Sequence, residues 1–164
     1  MQFGKKVRRR RGGGIEIRLS DEERAVMTQV VGQLRDAMLA NADDPMLRRL
    51  FPPAYVDDEE KEAGFKALAR DELLESRLQS IDVVEKSVAS ETLDAEEAEA
   101  WLRAMNALRL VLGTRLDVSE DTMPELTPDD PDLPAWVLYD LLSRLVWELV
   151  EAMAGDLPPG VDEP

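Results

Sequence analysis

Residues 133–154 read LPAWVLYDLLSRLVWELVEAMA, and this stretch decides the fold class. At about 100° per residue, its apolar side chains fill nearly half of a helical circumference. The opposite stripe is polar and consists of Asp140, Arg144, Glu148 and Glu151. An apolar arc this wide needs two or more neighbouring elements, so the pattern predicts the central helix of a bundle. Gly155 is placed to end this helix.

Capping signals mark two further helices upstream. Ser20 with Glu23, and Asp94 with Glu97, have the spacing of capping boxes, and each pair precedes apolar residues at helical intervals. Gly113 falls inside the second of these helices, where glycine costs about 1 kcal/mol relative to alanine. A glycine kept at that cost indicates that another element crosses close to the helix there.

The sequence pattern in the middle of the chain predicts shorter helices and a long loop. The pair Asp44-Pro45 begins a short helix, and Pro52-Pro53 ends it. Residues 58–90 are helical by pattern, but their apolar phase slips, which predicts a break into two helices near Arg70-Asp71. Residues 117–134 are acidic and contain four prolines, so they are expected to form a long loop.

The first nineteen residues have the alternation of strands rather than helices. Phe3 and Val7 lie on the first predicted strand, and Ile15, Ile17 and Leu19 alternate on the second. Three glycines between the strands provide the turn. We therefore predict a mainly α fold: a single-domain helical bundle of four to six helices with an N-terminal two-stranded β-hairpin. The predicted organisation is a basic hairpin over 1–19 packed on the body, the bundle over 20–154, and an acidic flexible tail over 155–164.

Composition excludes several chemistries. The chain has 164 residues, a net charge of -15, no histidine and no cysteine. It therefore has no thiolate nucleophile, disulfide, imidazole base or histidine-ligated metal. The acidic segment from Asp117 lacks the glycine and final glutamate of a calcium loop, and the glycine triplet lacks the lysine of a phosphate-binding loop. We predict no catalytic residues, no metal and no cofactor, and hence a protein that is not an enzyme.

No segment has the pattern of a signal peptide or of a membrane-spanning helix. The basic start is followed by glycines instead of an apolar stretch, and no run of about 18 apolar residues occurs. The expectation is a soluble, cytoplasmic protein with no membrane contact.

The charge is distributed very unevenly. Residues 1–18 carry a net charge of +6, whereas the other 146 residues carry −21. The cations of this N-terminal arm are the candidate nucleic-acid-binding residues: Lys5, Lys6, Arg8, Arg9, Arg10 and Arg11. They could place positive charge against DNA phosphates, as basic arms do elsewhere, while the acidic body repels a duplex. The alternative is a solvated hairpin tip, or pairing of the arm with the acidic body.

Two tryptophans of the last helix are the candidate partner-binding residues. Trp136 and Trp147 lie eleven residues apart, near one edge of the polar stripe. An exposed aromatic pair beside charges is typical of a protein-contact patch, including one between copies of the chain, so a homo-oligomer stays open. The alternative is that both rings pack at the edge of the core.

Several runs together resemble one family. They are Asp44 to Tyr55 (DPMLRRLFPPAY), Ala107 to Leu116 (ALRLVLGTRL) with Glu120-Asp121 just after, and Tyr139-Asp140 before the apolar run of the last helix. The sequence resembles the actinobacterial AosR-type family, originally catalogued as a domain of unknown function and later associated with transcriptional regulation under oxidative stress. The resemblance covers nearly the whole chain.

The resemblance implies a non-enzymatic regulator that works with the transcription machinery, through protein contacts, DNA contacts or both. Redox sensing in that family uses a closely spaced cysteine pair, which this chain lacks. The second hypothesis is a protein-interaction adaptor with no nucleic-acid role. Genes of this family often lie near the gene of the N-degron protease adaptor. A role in protein quality control therefore remains an alternative. From the residues themselves, we also expect Arg109 or Arg115 to pair with a carboxylate such as Asp140.

Overall fold

The computed structural model of the chain describes residues 4–120 and 125–155. Within these residues the fold is mainly α with an N-terminal antiparallel strand pair, as the sequence predicts. The helices are α1 (Asp21–Ala40), α2 (Glu59–Ser87), α3 (Ala95–Arg115) and α4 (Leu133–Ala154). The strands are β1 (Val7–Arg9), β2 (Ile15–Ile17) and β3 (Thr92–Leu93), and a 3-10 helix spans Pro45–Leu47.

The predicted hairpin forms, with Val7 opposite Ile17 and both residues buried. Gly13 and Gly14 have φ angles of 96° and 79°, which only glycine adopts without strain, so the turn requires them. Phe3 lies outside the described residues, as does the predicted tail apart from its first residue, Gly155.

The sheet has a third strand that the sequence does not predict. β3 pairs antiparallel with β2, with Leu93 opposite Ile15, and gives the order β1-β2-β3. A two-residue strand is too short to show alternation, so nothing in its own residues marks it. It ties the start of α3 to the hairpin.

Both capping boxes are confirmed. At α1, Ser20 Oγ accepts from the Glu23 N–H at 3.1 Å, and the Glu23 carboxylate accepts from the Ser20 N–H at 2.9 Å. Asp94 and Glu97 make the same two hydrogen bonds at the start of α3, at 2.8 and 2.9 Å. Asp44 caps the 3-10 helix by accepting from the Met46 N–H at 2.9 Å. These ends depend on local chemistry, which a sequence displays directly.

The predicted break near Arg70-Asp71 is wrong, because α2 is one continuous helix of 29 residues. No proline interrupts residues 59–87, and good helix formers surround the point of the slip. The apolar phase changes because the first half of α2 has fewer neighbours than the second. Leu68 is 83% exposed there, whereas Ile81 and Val84 in the second half are each 1% exposed.

The last helix is not the central one, contrary to the sequence prediction. α4 has the predicted bounds but packs mainly against α3 and β1. α3 instead contacts α1, α2, α4, β3 and the 3-10 helix, and its Trp101 is fully buried in the core. α3 is rich in buried alanines, whose small side chains leave its apolar periodicity weak but let neighbours approach from several sides. In the described residues, no helix has the length and apolar character needed to cross a membrane.

Candidate macromolecular interface

The two lysines of the arm are paired with carboxylates of the body. Lys5 Nζ lies 2.8 Å from Glu151 Oε2 on α4, and Lys6 Nζ lies 2.6 Å from Glu23 Oε1 on α1. For these two residues the structure matches the alternative of intramolecular pairing. These ion pairs fix the position of the arm, and the charges of Lys5 and Lys6 are largely neutralised within the protein.

Glu23 is suited to hold Lys6. Burial raises the pKa of the Glu23 carboxyl, but hydrogen bonds from Lys6 and the Ser20 N–H, together with the charges of Lys6 and Arg144, outweigh burial. The net pKa lies below its usual value, so the group is ionised at neutral pH.

The four arginines of the arm lie at the exposed end of the hairpin. Arg8 and Arg9 end β1, and Arg10 and Arg11 enter the turn, where all four are exposed. The turn is closed by hydrogen bonds from the Arg10 N–H to the Gly14 carbonyl at 3.1 Å and from the Gly13 N–H to the Arg10 carbonyl at 3.3 Å. We call residues 8–14 the hairpin tip. It concentrates positive charge at one end of a strongly acidic molecule.

A buried carboxylate on α4 holds the first strand in place. Glu148 is 4% exposed, and its Oε2 accepts from the N–H groups of Lys6 at 2.8 Å and Val7 at 2.9 Å. Its Oε1 accepts from Arg144 Nε at 2.9 Å, and Arg144 Nη2 donates to the Gly4 carbonyl at 2.7 Å. Glu148 therefore satisfies two backbone donors and one guanidinium at the junction of β1 and α4.

The sequence places Glu148 wrongly, on the exposed polar stripe of the last helix. The sequence did contain a sign that Glu148 is buried. Leu141 lies seven residues earlier, so on a helix its side chain points within about 20° of the direction of Glu148. Glu148 thus lies at the edge of the apolar arc. Glu148 is buried because β1 packs against α4 at this edge.

The two candidate tryptophans have different surroundings. Trp147 is 62% exposed and lies on α4 between Arg144 and Glu151, the residues that contact the arm at Gly4 and Lys5. Trp136 is half-buried and packs edge-on against Tyr139, with ring centroids 5.9 Å apart. Eleven residues at about 1.5 Å each separate them along the axis by roughly 16 Å. Trp147 therefore lies on the part of α4 that contacts the arm, whereas Trp136 lies near the other end of the helix.

Residues of the resemblance motifs meet at one point. A Cβ placed on Gly113 would lie 2.9 Å from Arg49 Nη1 and 3.5 Å from Tyr139 Cε2, which confirms the predicted close approach. Arg49 Nη2 passes over this glycine to donate to the Val118 carbonyl at 3.2 Å. Arg49 thereby ties the segment after the 3-10 helix to the C-terminal end of α3.

The expected pairing of Arg109 or Arg115 with Asp140 is wrong. Arg109 Nη2 donates to Asn106 Oδ1 at 3.1 Å on its own helix, and Asp140 is exposed on α4. Among the ion pairs of the described residues, none joins Asp140 to either arginine. The approach of α4 to α3 places Tyr139, and not its neighbour Asp140, against α3.

Comparison with known proteins gives the family. The family model described as "Domain of unknown function (DUF2017)" matches residues 5–153, nearly the whole chain. The chain belongs to this family. Among curated relatives, it is 29% identical over 142 residues to the putative oxidative stress regulator AosR of Mycobacterium leprae, with 76% of this chain and 65% of the relative covered.

A second similar relative is the oxidative stress regulator AosR of Mycobacterium tuberculosis, 28% identical over 129 residues. That alignment covers 68% of this chain and 59% of the relative, so the chain spans less than two thirds of the length of either relative. No solved structure matches the chain. The names of the relatives support a regulatory role at the level of the family.

The Arg49–Gly113 contact of this DUF2017 protein predicts a coupled effect on stability. We expect Gly113→Ala to leave stability nearly unchanged, because moving Arg49 Nη1 aside weakens the Arg49–Val118 hydrogen bond by about 1 kcal/mol and helix propensity returns about 1 kcal/mol. In an Arg49→Ala background, the same change is expected to gain about 1 kcal/mol. Denaturant unfolding of the four proteins measures the coupling.

Gly32 provides the control for this cycle. It also lies inside a helix, α1, but a Cβ there meets nothing within 4 Å. Gly32→Ala is therefore expected to stabilise the protein equally with and without Arg49. A Gly113→Ala effect of the same sign and size in both backgrounds would mean that Arg49 is not what the glycine accommodates.

Proposed function

We propose that this protein is a non-enzymatic regulator that acts in transcription by contact, with the hairpin tip touching the phosphates of promoter DNA. The observation that carries the proposal is the tip itself. Arg8, Arg10 and Arg11 are exposed on a hairpin whose first strand Glu148 holds against α4 at Lys6 and Val7, while the side chains of Lys5 and Lys6 are paired with carboxylates. The regulator names of the relatives support the same direction.

The charge distribution makes the contact local. Outside the first 18 residues the chain carries −21, so a duplex lying along the body would be repelled. A tip that projects from the body can contact the DNA backbone or enter a groove while the acidic body stays away from the duplex. Because the chain contains no cysteine, its regulation does not use a disulfide formed within this chain.

An electrophoretic shift with promoter DNA at several salt concentrations tests the proposal. The triple variant Arg8→Ala, Arg10→Ala, Arg11→Ala is expected to lose the shift at moderate salt. If three phosphate contacts are lost, the slope of log affinity against log salt becomes shallower by about 2.7.

A matched triple variant controls for charge. Arg48, Lys86 and Arg115 are exposed cations outside the hairpin, and changing all three to alanine alters the net charge by the same amount. This control is expected to bind DNA much as the unchanged protein does. Equal losses for both triples, or no shift of the unchanged protein even at low salt, would contradict the proposal.

The exposed Trp147 favours a second candidate, a protein-interaction adaptor without a nucleic-acid role. Trp147 and Val150, 62% and 48% exposed, lie three residues apart on α4, and Arg144 lies one turn before Trp147. Tryptophan and arginine are the residues most often found at the energetic centre of protein interfaces. Co-purification of polymerase or sigma subunits that fails with Trp147→Ala, but survives the tip triple variant, would favour protein contact over DNA contact.

A further inference from the structure

A cavity of about 300 Å³ lies between α1, α2 and α3, and its lining includes no residue of the hairpin or of α4. Its floor is apolar and is formed by Leu34, Met38, Ile81, Ala104 and Ala107. Its more exposed lining residues are four polar residues and one leucine: Ser76, Arg77, Arg103, Asn106 and Leu73. The volume is at the lower end of what small-molecule sites occupy.

The charge of this cavity is opposite to that of the protein. Of 164 residues, 35 are acidic, yet the described residues that line the cavity include two arginines and neither aspartate nor glutamate. A lining with two arginines and no carboxylate attracts a small anion. The carboxylate of Glu99, which pairs with Arg103 at 3.4 Å, does not itself line the cavity.

Arg77 is the less exposed of the two arginines that line the cavity. Its Nη2 donates to the Leu50 carbonyl at 2.9 Å, and its guanidinium lies 5.6 Å from the centre of the Phe51 ring. Its Nε is the one buried side-chain nitrogen or oxygen of the described residues without a hydrogen-bond partner. Burial lowers the pKa of Arg77, because no carboxylate compensates for the lost hydration.

Arg103 and Asn106 are the two further lining residues that can donate hydrogen bonds to an anion. Arg103 is held only by Glu99 on the same helix, at 3.4 Å, and both side chains are more than half exposed. Such a pair contributes little to stability. Asn106 accepts from Arg109 through Oδ1, which leaves its amide N–H groups as donors.

We propose that this cavity binds a small organic carboxylate with an apolar body. The carboxylate lies between Arg77 and Arg103, with Asn106 as a further donor, and the apolar body covers Met38, Ile81 and the α3 alanines. Arginine favours carboxylates because its planar N–H groups match their two oxygens. The apolar floor selects an organic anion over an inorganic one, since burying that surface stabilises the complex.

Titration of the full chain, followed by 1H–15N correlation spectra, tests the proposal. Hexanoate is the probe, hexanol is its uncharged counterpart, and inorganic phosphate is an anion without an apolar body. Hexanoate at millimolar concentrations is expected to shift the Ala104, Asn106 and Ala107 signals saturably, with hexanol and phosphate at least about tenfold weaker. Hexanol or phosphate binding as tightly as hexanoate would overturn the proposal, as would shifts that map elsewhere.

Variants locate the binding site. Arg103→Gln removes an exposed guanidinium and leaves the core unchanged, so we expect it to fold and to raise the Kd for hexanoate about tenfold. Arg77→Lys keeps the charge but loses the planar fork, and is expected to bind at least as weakly. Arg48→Gln, an exposed arginine outside the cavity, is the control and should bind like the unchanged protein. Unchanged affinity in Arg103→Gln refutes the site even if Arg77→Lys does not fold.

Discussion

Replacing Trp101 with alanine is expected to lower the free energy of unfolding by about 3–5 kcal/mol. Trp101 is fully buried in α3, the helix that contacts most of the other elements, so its removal leaves a cavity that neighbours on several sides would have to fill. Its Nε1 also donates to Ser87 Oγ at 2.8 Å, and Ser87 Oγ donates to the Val83 carbonyl at 2.6 Å. Truncation therefore loses apolar burial and a buried hydrogen bond together.

Two further variants separate these contributions. Trp101→Phe keeps most of the ring area but loses the N–H donor, so it is expected to cost about 1–2 kcal/mol. Trp147→Ala, at a 62% exposed position on α4, is expected to stay within about 1 kcal/mol of the unchanged protein. Denaturant unfolding followed by circular dichroism avoids the change in tryptophan fluorescence. Equal costs at Trp101 and Trp147 would show that α3 is not the centre of the core.

Glu148→Ala is expected to cost about 2–4 kcal/mol, the second largest effect. The change leaves the N–H groups of Lys6 and Val7 without an acceptor, and it removes the carboxylate partner of Arg144. Glu148→Gln keeps one acceptor oxygen and is expected to lose less. Denaturant unfolding measures the cost, and hydrogen exchange at Lys6 and Val7 shows whether β1 separates from α4.

Glu151 is the matched control, since it lies one turn further along α4 and also binds the arm. Its pair with Lys5 is about half exposed on both sides, so Glu151→Ala is expected to cost under about 1 kcal/mol. Amide exchange at Val7 should be much faster in Glu148→Ala than in Glu151→Ala. Similar behaviour of the two variants would mean that Glu148 does not hold the strand.

The Glu148 contact also links stability to the proposed function. If the tip binds DNA, the variant Glu148→Gln should weaken binding even though the arginines are unchanged, because the tip is held less firmly. The electrophoretic shift described above measures this loss against Glu151→Gln. The comparison separates the position of the tip from its charge.

Predictions from the sequence succeeded where the cause lay within a few residues. Ser20 and Glu23, or Asp94 and Glu97, cap a helix through side chains three residues apart, so the pattern and the hydrogen bonds contain the same information. The bounds of α4 follow from its own apolar arc. Even Gly113 indicated a close neighbour, although only the structure identified that neighbour as Arg49.

Predictions failed where the partner was distant in the chain. The apolar phase of α2 slips because its two halves face different surroundings, and the sequence does not show which neighbours are present. The same limit applies to the candidate sites. The arm was recognisable by its charge, but the pairing of Lys5 and Lys6 depends on carboxylates of α4 and α1, which lie far away in the chain.

The sequence by itself determined a mainly helical fold, an arginine-bearing hairpin and the absence of cysteine and histidine chemistry, because these depend on local pattern and on composition. Tertiary structure decided that α3 is central, that Glu148 is buried, and that Arg77 and Arg103 line a cavity without a carboxylate. Burial and charge compensation are properties of what surrounds a side chain, and those surroundings exist only when distant segments pack together.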